Sequence, residues 1–83
     1  MRGFRDSTLT QRERATLICV ARGLTNQEIA EHLRTTTGKV KTAIYQACAK
    51  LEAHNRVEAV FRAIRQKILI VDEIFSIDEL ADL

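Results

Sequence analysis

The side chains best suited to chemistry lie in residues 25–51, where cations, hydroxyls and amides gather on one side of a helical pattern. The inward positions recur at helical spacing from about Thr37 to Leu51 and are Val40, Ile44, Ala47, Cys48 and Leu51. The side chains left pointing outward are Lys39, Lys41, Thr42, Tyr45, Gln46 and Lys50. This face carries no acid before Glu52, so it suits an acidic partner.

The sequence contains no arrangement of residues that is typical of an enzyme. His32 and His54 lack a partnering acid and nucleophile, and we expect both at the surface or at the edge of a motif. Cys19 and Cys48 lie inside helical patterns without a CxxC spacing, which predicts small core residues in a reducing compartment. We therefore expect no catalysis, no metal, no cofactor and no small-molecule ligand within this chain.

Two short helices are predicted to position the outward face. Thr25 can cap the first helix, with Glu28 reaching back to the amide of the cap, and Ile29 begins its apolar side. The hydroxyl-rich segment 34–37 breaks this helix and can cap the second. Such a pair is typical of a helix-turn-helix whose second helix enters the major groove. The pattern alone leaves a solvated helix in an ordinary bundle as an equal alternative.

With its flanks, this stretch resembles the DNA-binding domain of the LuxR/FixJ (NarL-type) transcription regulators. The matching residues before the bend are Leu9-Thr10, Arg12-Glu13-Arg14, Leu17, Val20-Ala21, Gly23-Leu24-Thr25-Asn26, Glu28-Ile29-Ala30 and Leu33. Those after it are Val40-Lys41-Thr42, Ile44, Lys50-Leu51 and Asn55-Arg56-Val57-Glu58-Ala59-Val60. The match runs without gaps from Leu9 to about Ala63.

The resemblance assigns roles to matched positions. It implies that Lys41, Thr42 and Tyr45 reach base edges, where a lysine can donate to guanine and a threonine methyl can touch thymine. Phosphate contacts are expected from Thr25, Asn26, Arg34, Thr35, Thr36, Thr37, Lys39 and Lys50. For each threonine, simple helix capping is an equally good interpretation.

Ala15, Ile18 and Ala43 depart from the family pattern, and so do residues in both turns around the second helix. Arg34 and Thr35 occupy places in the bend where the family usually has glycine and an aliphatic residue. Glu52 follows the second helix where glycine is favoured, so either the turn tolerates a strained residue or the helix runs on slightly. Gly38 lowers helix propensity by about 1 kcal/mol but allows close approach to DNA.

Composition predicts an all-α fold, since proline is absent and glycine is scarce among 83 residues. We expect a four-helix LuxR-type bundle with a short extra C-terminal amphipathic helix. The predicted divisions are a flexible arm at residues 1–8 that could touch phosphates, a domain at residues 9–70 with the helix-turn-helix at about 26–45, and an acidic extension at residues 71–83. No leader sequence or membrane-spanning run appears, and we expect a cytoplasmic protein.

The outer helices also have predicted starts and ends. Thr10 with Glu13 forms a capping box for a helix that ends near Arg22, before Gly23. Asn55 with Glu58 opens another helix, which the apolar pattern carries to about residue 70. Ser76 with Glu79 opens a short helix in the extension, with Ile77, Leu80 and Leu83 on one side.

Charge and apolar residues are unevenly distributed. All thirteen lysines and arginines lie in residues 1–67 beside six acids, giving +7, and the extension holds the other five acids. The apolar set exceeds what one core needs at Ala15, Ile18, Phe61, Ile64 and Ile68. Either the extension folds back over this surplus, or, as the resemblance implies for the final helix, a second subunit covers it.

We therefore expect a sequence-specific regulator of transcription that binds double-stranded DNA, probing a two-fold operator as a homodimer through the recognition helix at residues 37–51. RNA polymerase or another regulator is a further expected partner. The alternative is a LuxR-like interaction module that binds and restrains another regulator. Because the chain begins at Met1, we favour a stand-alone protein over an excised output domain.

Overall fold

A computed structural model describes residues 8–75, and this part of the chain folds into five helices without a strand. The helices are α1 (Gln11–Ala21), α2 (Asn26–Leu33), α3 (Thr37–Leu51), α4 (Arg56–Arg65) and α5 (Val71–Ile74). The predicted all-α class is confirmed. The predicted arm, apart from Thr8, and the predicted helix from Ser76 lie outside the described residues.

The helices begin where side chains satisfy the first free amides. The predicted capping boxes of α1 and α2 are both present; Thr10 Oγ1, for example, accepts from Glu13 N at 3.1 Å and Thr10 N donates to Glu13 Oε1 at 2.9 Å. At α4 only half of the predicted box forms, because Glu58 accepts from the amide of His54 rather than from that of Asn55.

Helices α1 to α4 all end with a residue in the left-handed conformation. Gly23 adopts it at φ 87°, and Arg34, Glu52 and Lys67 adopt it at 58°, 55° and 64°. In each case the next amide donates to a carbonyl five residues back, as in Ala53 N to Cys48 O at 2.8 Å. The turn at Glu52 therefore tolerates a non-glycine residue, which decides between the two expectations for that position.

Two neighbouring clusters form the core. The first joins α1, α3 and α4 through Leu17, Ala47, Leu51, Ala59, Ala63 and Leu69. The second joins α1, α2 and α3 through Cys19, Ile29, Ala30, Val40 and Ile44. Cys48 is half-buried and packs against both clusters, and burial raises the pKa of both thiols, so the structure supports packing roles for the two cysteines.

The end of α4 differs from the prediction, because α4 ends at Arg65 and not near residue 70. Lys67 turns the chain, and the amides of Ile68 and Leu69 both donate to Ala63 O, at 2.8 and 3.1 Å. This turn places Leu69 in the core with only 1% of its surface exposed. The apolar run that suggested a longer helix is therefore a turn that returns a leucine to the core.

The segment after this turn packs against α1. Ile74 of α5 is buried, and the Arg14 guanidinium forms an ion pair with Glu73 while its Nε donates to Ile68 O at 3.2 Å. Arg14 and the Ile70 amide hold the pKa of the Glu73 carboxyl below its usual value. The packed unit therefore continues past the predicted boundary at residue 70.

Candidate nucleic-acid interface

A tight turn joins α2 to α3. Arg34 supplies the left-handed residue after α2, and Thr35 N donates to Ala30 O at 2.8 Å. Thr36 then caps α3 by accepting from Lys39 N at 3.1 Å. Because Ile29 and Ala30 share a buried cluster with Val40 and Ile44, the two helices are held in a fixed relation. The bend does not require a glycine, because Arg34 adopts the left-handed conformation there at some conformational cost.

The outward face of α3 is exposed as predicted. Lys39, Lys41, Thr42 and Tyr45 are all exposed, and Tyr45 leaves 75% of its surface free. Lys41 and Tyr45 lie one turn apart, and Thr42 lies beside them on the same arc. Such a surface can donate and accept hydrogen bonds and offers an aromatic ring. Base contact by these three residues remains a prediction.

Gly38 lies in the first turn of this helix. A Cβ built there would meet only Thr36 Oγ1, at 3.9 Å, so no packing within the domain requires a glycine. The position is exposed and borders the same face as Thr42. An uncluttered backbone at this point leaves room for another molecule to approach α3.

The threonines near the bend combine capping with free hydrogen-bonding capacity. Thr25 accepts from Glu28 N at 3.2 Å, and Thr36 caps α3, so the capping interpretation holds for both. Each hydroxyl hydrogen is still able to donate to a phosphate, because capping uses only the oxygen. Thr37 is exposed and Thr35 is half-buried, which gives Thr37 the better access to a ligand.

Arg56 is a residue of this region that the sequence analysis missed as a candidate. Its guanidinium donates to Asn26 Oδ1 and so ties the start of α4 to the start of α2. The Asn26 amide nitrogen keeps its two donors for a phosphate. The pairing spans 30 positions of sequence, so no local pattern could have revealed it.

The ammonium of Lys50, a predicted phosphate contact, is directed toward α1 and the segment before it. Its ammonium lies 2.8 Å from Glu13 Oε1 and 3.2 Å from the Thr8 carbonyl oxygen, with 25% of the side chain exposed. Glu13 is almost fully buried and also accepts from the Thr10 amide. Lys50 thus satisfies a buried carboxylate, whereas Arg34 and Lys39 are exposed at the bend.

The five residues predicted as a dimer or tail-docking surface do not form one patch. Phe61 and Ile64 line an apolar groove of about 370 Å³ between α1, α4 and α5. Ala15 lies in a different hollow beside Leu33, and Ile68 lies in a third hollow beside Arg14. Ile18 is half-buried and packs against the first core cluster, so the domain itself covers part of it.

We call the first of these features the apolar groove. Its walls include Val57, Phe61 and Ile64 of α4, Val20 of α1, and Val71 and Phe75 of the C-terminal segment. Val57 and Phe61 keep 69% and 73% of their surfaces exposed.

At the N-terminal end of α4, His54 and Arg62 contact Glu58 and lower the pKa of its carboxyl to about 2.

Two short helices joined by a tight turn, with the polar face of the second exposed, define a helix-turn-helix domain within an all-α bundle. A family model described as "Bacterial regulatory proteins, luxR family" matches residues 7–63. The chain belongs to this family of regulators. The resemblance found in the sequence is confirmed.

The response regulator protein VraR of Staphylococcus aureus (strain Mu3) is 38% identical to the chain over 61 residues. The VraR proteins of Staphylococcus saprophyticus and Staphylococcus epidermidis (strain RP62A) are similar to the same extent. The aligned stretch covers 74% of this chain but 29% of each relative, so the chain spans less than a third of their length. Within residues 8–75, no helix is long and apolar enough to cross a membrane.

Proposed function

We propose that this protein recognises specific sequences in double-stranded DNA by laying α3 in the major groove. The observation that carries the proposal is the exposed group of Lys41, Thr42 and Tyr45 on a helix whose opposite side is buried through Val40 and Ile44. Membership of a family of DNA-binding regulators supports it.

Phosphate contacts fix the domain on the duplex first. Arg34 and Lys39 supply exposed cations at the bend, and the Asn26 amide donates at the start of α2, where the helix dipole favours an anion. Thr36 and Thr37 add hydroxyl donors beside them. These contacts release counterions and carry no base preference, so they account for capture rather than for choice of site.

Base readout follows from the arc of α3 that enters the groove. Lys41 donates to O6 and N7 of a guanine, and the Thr42 methyl packs against a thymine methyl. Tyr45 offers both its ring and its hydroxyl one turn further along the helix. Lys50 has a supporting role, because its ammonium already neutralises Glu13.

Pairing of two copies through α4 would let one molecule read each half of a two-fold operator. Val57, Phe61 and Ile64 recur at positions i, i+4 and i+7, and the first two are largely exposed. An isologous contact along this row would relate two α3 helices by a two-fold axis. Half-sites would then lie about 34 Å apart or a multiple of this distance.

A second candidate function is binding and restraint of another regulator. The apolar groove favours it, because exposed apolar side chains mark interaction sites. The relatives are named as response regulators, so in a longer protein this domain would act as the output part, with RNA polymerase as a further partner. Reading chromosomal DNA would place such a protein in the cytoplasm.

Selection of bound fragments from random duplexes tests the main proposal. We expect a two-fold consensus, and the Lys41→Ala variant should lose the preference at one position of each half-site. If the recovered fragments are unrelated, and the protein binds a partner protein with an affinity that does not fall as salt rises, the second function is supported instead.

A further inference from the structure

The apolar groove leaves the large side chains of Val57 and Phe61 mostly uncovered. Phe61 is 73% exposed although it lies beside a space of about 370 Å³. Phe75, the last described residue, is itself part of the wall. Whatever follows Phe75 therefore starts at the edge of the groove.

We propose that residues 76–83 dock in the apolar groove of the same molecule through Ile77, Leu80 and Leu83. These residues recur every three positions, which places them on one side of a helix that Ser76 and Glu79 are suited to cap. A helix this short is marginal on its own in water, so an apolar support is required for it to form. The groove supplies that support next to the attachment point.

The dimensions agree with this docking. Eight residues in a helix extend about 12 Å at 1.5 Å per residue. Axes of packed helices lie about 8–10 Å apart, so such a segment can bridge the α1 and α4 walls of the groove. Val20 on α1 and Phe61 on α4 are the side chains that it would cover.

The charges also agree. Arg65 shares a hollow with Phe61, and Lys67 shares another with Ile64 and Val71, so exposed cations border the groove. The docking segment carries acids at Asp78, Glu79 and Asp82 beside its apolar side chains. Attraction between these acids and the cations at the rim favours one orientation of the segment, and the rim cations repel an approaching basic surface.

Docking in the same molecule competes with the pairing of two copies. Val57, Phe61 and Ile64 form one wall of the groove and are also the row proposed to pair through α4. This step rests on the proposed function, whereas the docking itself does not. The segment therefore weakens dimerisation, and displacing it exposes the pairing surface.

A single tryptophan reports on the groove, because the natural chain contains none. In the full chain with Phe61→Trp, the docked segment should shift the emission to shorter wavelength. Adding Leu80→Asp should reverse this shift, whereas adding Ala81→Ser, at a position to which the proposal gives no contact, should leave it in place. Circular dichroism of the three variants checks that the domain remains folded.

Two results would overturn the docking. One is identical emission with and without Leu80→Asp, and the other is an emission shift that appears only as protein concentration rises, which would identify a second copy as the occupant.

Sedimentation of chains without the tryptophan tests the competition separately. Leu80→Asp should lower the dissociation constant of the dimer, and an unchanged constant would refute competition. If the chains with and without Leu80→Asp are both monomers and the emission shift is observed, the docking is supported and pairing through α4 is refuted.

Discussion

The bend between α2 and α3 and the groove beside α4 differ in how completely the domain itself satisfies them. At the bend, Thr25 and Thr36 cap the helices, and the side chains that remain exposed are polar or charged. At the groove, Val57 and Phe61 stay exposed in the described part of the chain. A polar surface is stable in water without a partner, whereas an apolar one gains free energy when another surface covers it.

This difference indicates two kinds of interaction. The exposed cations and hydroxyls of the bend suit a partner that brings charge and hydrogen-bonding groups, and such binding weakens as salt rises. The groove is built for an apolar partner that binds more tightly as apolar area is removed from water. The proposed DNA binding uses the first kind of surface, and the proposed docking of residues 76–83 uses the second.

The substitution Glu13→Ala is expected to have the largest effect, which is on the stability of the helical core that carries both surfaces. Glu13 accepts from Lys50 and from the Thr10 amide, so its loss leaves the half-buried Lys50 ammonium with only the Thr8 carbonyl and removes the partner of the Thr10 amide. We expect a loss of about 3 kcal/mol in the free energy of unfolding, measured by urea denaturation. Glu31→Ala on the exposed side of α2 is the control and should change it by less than about 0.5 kcal/mol. Equal effects of the two substitutions would contradict the role given to Glu13.

The bend is tested next by Lys41→Ala. Removing a base contact should weaken binding to a selected operator by about 1–3 kcal/mol, without a change in stability. Fluorescence anisotropy with a labelled duplex measures the affinity. Lys67→Asn removes the same charge at a distant turn and keeps a residue that tolerates the left-handed conformation, so it should bind as the natural chain does. If both variants lose affinity equally, only net charge matters and Lys41 reads no base.

A smaller effect separates backbone strain from DNA contact. Glu52→Gly and Arg34→Gly each relieve a left-handed residue, and each should raise the free energy of unfolding by about 0.5–1 kcal/mol. Only Arg34→Gly should weaken DNA binding, because only Arg34 lies at the bend. Thermal unfolding and anisotropy measured on the same two variants check this. Undiminished DNA binding by Arg34→Gly would remove Arg34 from the phosphate contacts.

The smallest effect concerns pH and the N-terminal end of α4. Glu58 has a pKa of about 2 in the folded protein, below the usual value of 4.5, because it accepts from His54 and Arg62. Its contribution to stability is therefore complete above pH 4.5 and is lost as pH falls from there toward 2. Glu58→Gln should reduce the slope of stability against pH in this range, measured by urea denaturation at several pH values. An unaltered slope would show that the contacts of Glu58 do not persist in solution.

The sequence predicted local features well and long-range pairings poorly. The capping boxes of Thr10 and Thr25 depend on residues three positions apart, so their patterns are visible in the chain. Lys50 pairs with Glu13 across 37 positions, and no local pattern indicates it. The end of α4 was missed because apolar residues continue to Ile70, although Lys67 turns the chain and returns Leu69 to the core.

The exposed face of α3 was predictable because inward residues at helical spacing define the outward ones. The composition of the groove was only partly predictable. Phe61 and Ile64 were identified as surplus, but Ala15 and Ile68 proved to lie elsewhere, since their surroundings depend on how α1 and the final turn pack.

The salt dependence of binding to a duplex tests the central claim most directly. The full chain is titrated with an operator duplex, and with a mixed-sequence duplex, at a series of salt concentrations, beside the Lys39→Ala and Arg34→Ala variants. We expect the logarithm of affinity to fall linearly with the logarithm of salt concentration, and the fall should be shallower in each variant, with a slope smaller in magnitude by about 1. Absence of binding to either duplex at the lowest salt concentration would contradict the claim that the bend and α3 form a DNA-binding surface.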